Sequence, residues 1–224
     1  MLKAFKQLSA YIRHSLTVDN VPIWIAQREG RAKDGRDITE PAIIKMLLIG
    51  RNTKVETFSD AIGALNIVPT AISYEFDPCD EAKARELYIA EHEGSYIKAE
   101  QEDMQSIAAG ITGDKGHIHV AFGERLQGDF DTPEQVALAV DQQIIANYVV
   151  YPSNAVAYEK LHGELPAGLL LHDGTSFDRD SHKACAEKFE QRLDACPEQY
   201  RPYFLGIYAN CIVRKLELGL LAAR

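Results

Sequence analysis

The 224-residue chain lacks several motifs that would assign it to a common class of protein. Its few cysteines are scattered and form no Cys-x-x-Cys pair, so reduced thiols are expected rather than a disulfide framework or a zinc site. Gly-x-Ser-x-Gly and the glycine pattern of a phosphate-binding loop are also absent. Their absence argues against a serine hydrolase and against a nucleotide-binding domain of that type.

Long apolar runs and excess positive charge are absent as well. The longest apolar runs, such as Ile43–Ile49 with Lys45 inside it, fall far short of the ~20 residues that a membrane span needs. Residues 1–16 mix charged and apolar groups and contain no signal-peptide core. The formal net charge of -9 argues against nonspecific nucleic-acid binding. We therefore expect a cytoplasmic protein whose contact with a membrane, if it has one, is peripheral.

Helical and strand patterns alternate over the first two thirds of the chain. Strands are predicted at Val21–Ala26, Ile67–Phe76 and His117–Phe122, with Trp24 in the core, and helices are predicted between them. This order indicates an α/β fold with a mostly parallel sheet flanked by helices over residues 1–150. Residues 151–224 contain helical patterns only and are predicted to form a C-terminal helical subdomain.

A cluster of basic residues follows directly after the first predicted strand. Arg28, Arg31, Lys33 and Arg36 lie within nine residues of one another, close to Gly30. Glycine allows the backbone to approach an anion closely, and Arg offers a planar fork of donors. Ligands of open α/β sheets bind at the carboxyl ends of the strands, so this segment is a candidate phosphate site. A solvated charged loop is the alternative.

Three blocks of sequence, residues 25–35, 67–75 and 117–124, resemble the glycerolipid acyltransferase superfamily, in particular bacterial glycerol-3-phosphate and lysophosphatidate acyltransferases. The first block is similar to the Glu-Gly-x-Arg-Ser-Arg motif of that family, and the third ends in Phe-Gly-Glu. The first block departs from the motif, because Arg31 follows Gly30 directly, Ala32 replaces a hydroxyl residue and Lys33 stands for the second Arg.

The resemblance implies transfer of a fatty acyl group from acyl-CoA or acyl-carrier protein to a glycerol-phosphate-type acceptor in phospholipid biosynthesis. Arg31 and Lys33 would clamp the acceptor phosphate, and Glu29 and Gly30 would shape the loop. The other implied site residues are Gln27 and Arg28 at the acceptor, Pro69 in the pocket wall, and Tyr74 and Glu75 in support. The resemblance implies no bound cofactor and no metal. It also implies a peripheral position on the inner face of the membrane.

The catalytic pair of the family is a His-x4-Asp motif, in which His takes a proton from the acceptor hydroxyl and Asp orients the imidazole. The chain contains one match, His14 and Asp19, but the family places the motif well upstream of the first block. The resemblance therefore implies that the chain begins inside a longer enzyme. The alternative is a non-catalytic protein that lacks the pair and binds an anionic lipid or a partner.

Histidines of the third predicted strand raise the question of a metal site. His117 and His119 lie two residues apart, so both side chains face the same side of a strand. His92 and nearby acidic residues are further candidate ligands, but none has the spacing of a third ligand. We therefore predict a partly exposed strand face here and no metal.

Overall fold

The computed structural model describes residues 2–28 and 32–222 of the chain. The described residues divide into two compact units. The first draws on segments 1–31, 38–71 and 122–147, and the second on segments 32–37, 72–121 and 148–224. Each unit is assembled from separate stretches of sequence.

Nine α-helices and two strands make up the regular structure of the described residues. The helices are α1 (Leu2–Thr17), α2 (Pro41–Leu48), α3 (Phe58–Leu65), α4 (Asp80–Glu93), α5 (Glu102–Thr112), α6 (Pro133–Asn147), α7 (Pro152–His162), α8 (Lys183–Ala195) and α9 (Arg201–Glu217). The strands are β1 (Thr70–Tyr74) and β2 (Ile118–Phe122), and a single 3₁₀ turn, Glu198–Tyr200, precedes α9. Helices lie between the positions of the predicted strands and after residue 150, as the sequence predicts.

The prediction of a mostly parallel sheet is wrong. The structure is 53% helical, and β1 and β2 form a two-stranded antiparallel sheet. Although α4 and α5 intervene in sequence, β2 runs antiparallel to β1. Just beyond the strands, the Glu75 amide donates to the His117 carbonyl (2.9 Å) and the next amide, of Phe76, donates to the earlier Lys115 carbonyl (3.0 Å). A long helical connection permits a parallel pair but does not require one, which is why alternation of elements misled the prediction.

The strand predicted at Val21–Ala26 is also absent. These residues are irregular, and the Trp24 side chain, predicted to lie in the core, is 69% exposed. A short apolar run forms a strand only when a neighbour completes its hydrogen-bond ladder, and the described residues supply none there.

The first unit is stabilised by contacts between its helices and by a local helix cap. α2 packs against α1 and α6, and apolar side chains such as Ile12, Leu47 and Ile145 are buried there. Thr57 begins α3 with a capping box, in which its hydroxyl accepts from the Asp60 amide and the Asp60 carboxylate accepts from the Thr57 amide. Glu40 is the N-cap residue of α2, and Pro41 occupies the first position of that helix.

The second unit has its core around α9, which packs against α4, α7 and α8. The rings of Phe189, Phe204 and Tyr208 lie within contact of one another, with centroids 4.9–5.7 Å apart. Phe76, which follows β1, is buried in the same cluster. Aromatic burial of this kind supplies a large share of core stability.

Candidate functional site

A cavity of about 140 Å³ lies within the second unit. Three stretches of sequence form its walls. They are the loop at residues 32–37, the stretch from β1 to the start of α4, and the stretch from Tyr148 through α9. The lining residues are Ala32, Lys33, Gly35 and Asp37 from the loop, Ile72, Tyr74, Asp77 and Lys83 from the second stretch, and Tyr148, Asn154, Ile207 and Tyr208 from the third.

Gly35 lets the loop approach α9. Its φ of +69° is rarely adopted by residues with a side chain, and a Cβ atom added there would lie 2.1 Å from the Ile207 carbonyl oxygen. The Asn210 side-chain amide donates to the Asp34 carbonyl (2.6 Å). Arg36 Nη2 donates to both carboxylate oxygens of Glu217 (2.7 and 2.8 Å). The loop is therefore fixed to α9 on both sides of Gly35.

Both lysines that line the cavity occur in ion pairs. Lys33 pairs with Glu86 of α4, and Lys83 pairs with Asp77. All four side chains are partly shielded from solvent, so their charges are less screened than those of an exposed pair. The cavity thus contains two cations, each of which is paired with a carboxylate.

Tyr148 adds a neutral hydroxyl group to the same cavity. Burial raises the pKa of Tyr148 well above its usual value, and the negative charges of Asp37 and Asp77 act in the same direction. The phenol therefore keeps its proton at neutral pH and can donate or accept a hydrogen bond.

The structure brings together some of the residues predicted from sequence. Lys33 of the first block and Tyr74 of the second line the cavity together with Gly35.

Other predicted site residues lie elsewhere. Gln27 belongs to the first unit, where its carbonyl accepts from the Glu40 amide (3.0 Å). Arg28 and Pro69 also belong to the first unit and are not among the residues that line the cavity. The predicted residues Glu29, Gly30 and Arg31 lie outside the described residues.

Glu75 supports the end of β1 through a buried carboxylate. The carboxylate accepts from the His117 backbone amide (2.9 Å) and contacts the His117 ring nitrogen Nδ1 (2.7 Å). Burial opposes ionisation, but hydrogen bonds from the His117 amide, the Cys185 thiol and the His117 ring outweigh it, and the pKa of Glu75 is lowered. Glu75 therefore joins β1 to the residue before β2, and its neighbour Tyr74 lines the cavity.

The metal site weighed for the histidines of the third block has no counterpart among residues 2–28 and 32–222. No cluster of three or more His, Cys, Asp or Glu side chains in these ranges is arranged to hold a metal ion. The ring of His117 is instead turned to Glu75 and stacks loosely on His172, with centroids 5.8 Å apart.

The single His-x4-Asp match forms a contact in the first unit. His14 Nε2 lies 3.5 Å from Asp19 Oδ1, and both side chains are at least half exposed. His14 is in the last turn of α1, where a cation interacts favourably with the helix dipole. The geometry is that of a loose surface pair, whereas a buried carboxylate would hold the imidazole more firmly.

Several cavity residues were missed by sequence reasoning. Asp77 and Lys83 follow β1 closely, and the position of Asp77 just past a strand end was a usable signal. Tyr148, Asn154 and Tyr208 carried no comparable signal, because they reach the cavity only through the packing of α7 and α9 in the second unit.

Comparison with known proteins adds no relative: no family, no curated protein and no solved structure matches the chain. Within the described ranges, no helix has both the length and the apolar character that crossing a membrane requires.

Proposed function

We propose that this chain supplies the acceptor site of an acyltransferase, which moves a fatty acyl group from acyl-CoA or acyl-carrier protein to a glycerol-phosphate-type acceptor in phospholipid biosynthesis. One observation carries the proposal. Lys33 and Gly35 from the first block and Tyr74 from the second, far apart in sequence, line one cavity. These are two of the three blocks on which the resemblance to glycerolipid acyltransferases rests.

The acceptor phosphate binds to the ammonium group of Lys33, with Lys83 as the second cation. Lys33 exchanges its partner Glu86 for a phosphate oxygen, whereas Lys83 keeps its pairing with Asp77 and uses another of its three N–H donors for the phosphate. The hydroxyl of Tyr148 and the carboxylate of Asp77 are suited to the hydroxyl groups of the glycerol moiety.

In the proposed reaction, a base removes a proton from the acceptor hydroxyl, the oxygen attacks the thioester carbonyl, and the thiolate leaves. The acceptor site supplies orientation for this step, because fixing the phosphate fixes the hydroxyl that reacts. His14 with Asp19 is the one His-x4-Asp pair in the chain.

We also propose that the protein works at a membrane surface, and the sequence and exposure of α1 support this. Residues 2–17 include Lys3, Lys6 and Arg13 and contain no acidic residue. Phe5, Leu8 and Tyr11 of the same helix are 43%, 44% and 67% exposed. A helix with basic and apolar exposed side chains is suited to an anionic lipid interface.

Calorimetric titration with glycerol 3-phosphate tests the acceptor site. Lys33→Gln is expected to weaken binding about tenfold, because one charge-assisted hydrogen bond is lost. Lys183→Gln is the matched control, since Lys183 is an exposed lysine of the same unit that pairs with Glu187. The proposal fails if the wild-type chain does not bind glycerol 3-phosphate, or if the two variants bind it equally well.

A separate assay distinguishes the enzyme from the non-catalytic alternative. Purified chain is incubated with palmitoyl-CoA and glycerol 3-phosphate, and acylated product is measured with and without His14→Ala. Product formation that depends on His14 would favour catalysis by the His14–Asp19 pair. Binding of glycerol 3-phosphate without product would favour a binding role for this chain alone.

A further inference from the structure

A buried polar network joins the cavity to the two C-terminal helices α8 and α9. Arg192 of α8 donates from Nε and Nη2 to Asp80 Oδ2 (3.0 and 2.7 Å) and from Nη2 to the Asp77 carbonyl oxygen (2.6 Å). A planar guanidinium group makes these contacts in one fixed orientation. The first residue of α4, Asp80, and Asp77, three residues before it, are thus attached to α8.

Tyr208 of α9 completes the network from the other side. Its hydroxyl oxygen accepts from the Asp77 backbone amide (2.9 Å), and its hydroxyl donates to Asp80 Oδ2 (2.7 Å). Burial raises the pKa of Tyr208 well above its usual value, and the charge of Asp80 adds to this, so the hydroxyl remains protonated. The direction of both hydrogen bonds is therefore fixed.

Asp77, which lines the cavity, is held through every polar group it has. Tyr208 holds its amide and Arg192 its carbonyl, while its carboxylate accepts from the Cys79 amide (2.8 Å) and pairs with Lys83. A residue fixed at all of these points has little freedom to shift. Lys83, the second cation of the cavity, is paired to this fixed carboxylate.

We infer that Tyr208 and Arg192 are positioning residues for the acceptor, acting through Asp77 and Lys83, and that α8 and α9 form a working part of the site. The inference rests on the proposed function. It assigns a role to residues 151–224, which the resemblance to acyltransferases does not cover. Neither Tyr208 nor Arg192 needs to touch the phosphate, because each sets the place of the groups that do.

Tyr208→Phe tests this inference with little change in packing. The ring stays against Phe189 and Phe204, while the Asp77 amide loses its acceptor. We expect glycerol 3-phosphate to bind about tenfold more weakly, because Asp77 and Lys83 are no longer held in place beforehand and binding must order them. Tyr203→Phe is the matched control on the same helix, since it removes a hydroxyl bond to Glu91 (2.6 Å) outside the cavity lining.

Amide hydrogen exchange supplies a second readout that a general loss of stability would not reproduce. The Asp77 amide is expected to exchange about tenfold faster in Tyr208→Phe, while amides of buried α7, such as Val156, keep their wild-type rates. If the Tyr208→Phe variant binds glycerol 3-phosphate as the wild type does, or if the amides of Asp77 and Val156 accelerate together, the positioning role is contradicted. Absence of binding by the wild-type chain contradicts the proposed function instead.

Discussion

At the scale of single residues, Glu75 shows how this fold keeps a buried carboxylate ionised. The hydrogen bonds from His117 and Cys185 exist in the folded state and favour the charged form, so the folded pKa lies below the ordinary value of 4.5. A carboxyl group with a depressed folded pKa stabilises the protein above its unfolded pKa. That stabilisation is lost as the pH falls through the folded pKa.

Glu75→Gln is therefore expected to destabilise the protein at neutral pH by about 1.5 kcal/mol, the loss of a hydrogen-bonded charge. The difference from the wild type should shrink as the pH falls below about 4.5, because the wild-type carboxyl group then takes up a proton. Urea unfolding at pH 7 and at acid pH measures both values. Exposed Glu187→Gln is the control, and a pH-independent difference for Glu75→Gln would contradict this account.

At the scale of elements, the short loop at residues 32–37 depends on one glycine. Gly35→Ala places a methyl group against the Ile207 carbonyl and strains a positive φ. Gly174 also has a positive φ, +81°, but its added Cβ would meet nothing within 4 Å. An alanine at Gly174 would add only backbone strain, whereas an alanine at Gly35 would add both backbone strain and a steric clash.

Gly174→Ala is expected to cost about 1 kcal/mol of stability, the strain of a left-handed residue, and to leave glycerol 3-phosphate binding unchanged. Gly35→Ala should cost clearly more and abolish binding, because the loop must leave α9 and carry Lys33 with it. Thermal unfolding and calorimetric titration measure the two effects. Equal behaviour of the two variants would contradict the proposed role of Gly35.

Helix α1 carries the second prediction at this scale. Replacing both Phe5 and Tyr11 by Ser removes exposed apolar side chains, so the fold should be kept while sedimentation with phosphatidylglycerol vesicles falls several-fold. Val55→Ser is the matched control, because Val55 is 79% exposed in the same unit but lies outside α1. Unchanged sedimentation of the double variant would argue against a membrane-facing α1.

Local signals in the sequence predicted the helices well, because their ends are marked by residues whose chemistry is local. Prolines stand at the first positions of α2 and α7, and the acidic residues Asp80 and Glu81 lie in the first turn of α4. The strand at Val21–Ala26 failed because a strand needs a partner that no local pattern guarantees. Lys33 and Tyr74 could be selected through the resemblance, whereas Asp77, Lys83 and Tyr208 meet only through tertiary packing.

At the scale of the whole molecule, the chain forms two units from interleaved segments, and the candidate site lies within one of them. The helices after residue 150 supply three of the twelve residues that line the cavity, Asn154, Ile207 and Tyr208, so they are integral to the site. The boundary between residues 150 and 151 stays a prediction, as does acyl transfer itself. The account therefore depends on whether this cavity holds a glycerol-phosphate acceptor.

A crystal structure of the chain soaked with glycerol 3-phosphate tests that claim most directly. We expect a phosphate group inside the cavity, within hydrogen-bond distance of Lys33 Nζ, with Glu86 displaced from its ion pair. A cavity that stays free of the ligand at saturating concentration, or a phosphate bound elsewhere with the Lys33–Glu86 pair intact, would contradict it.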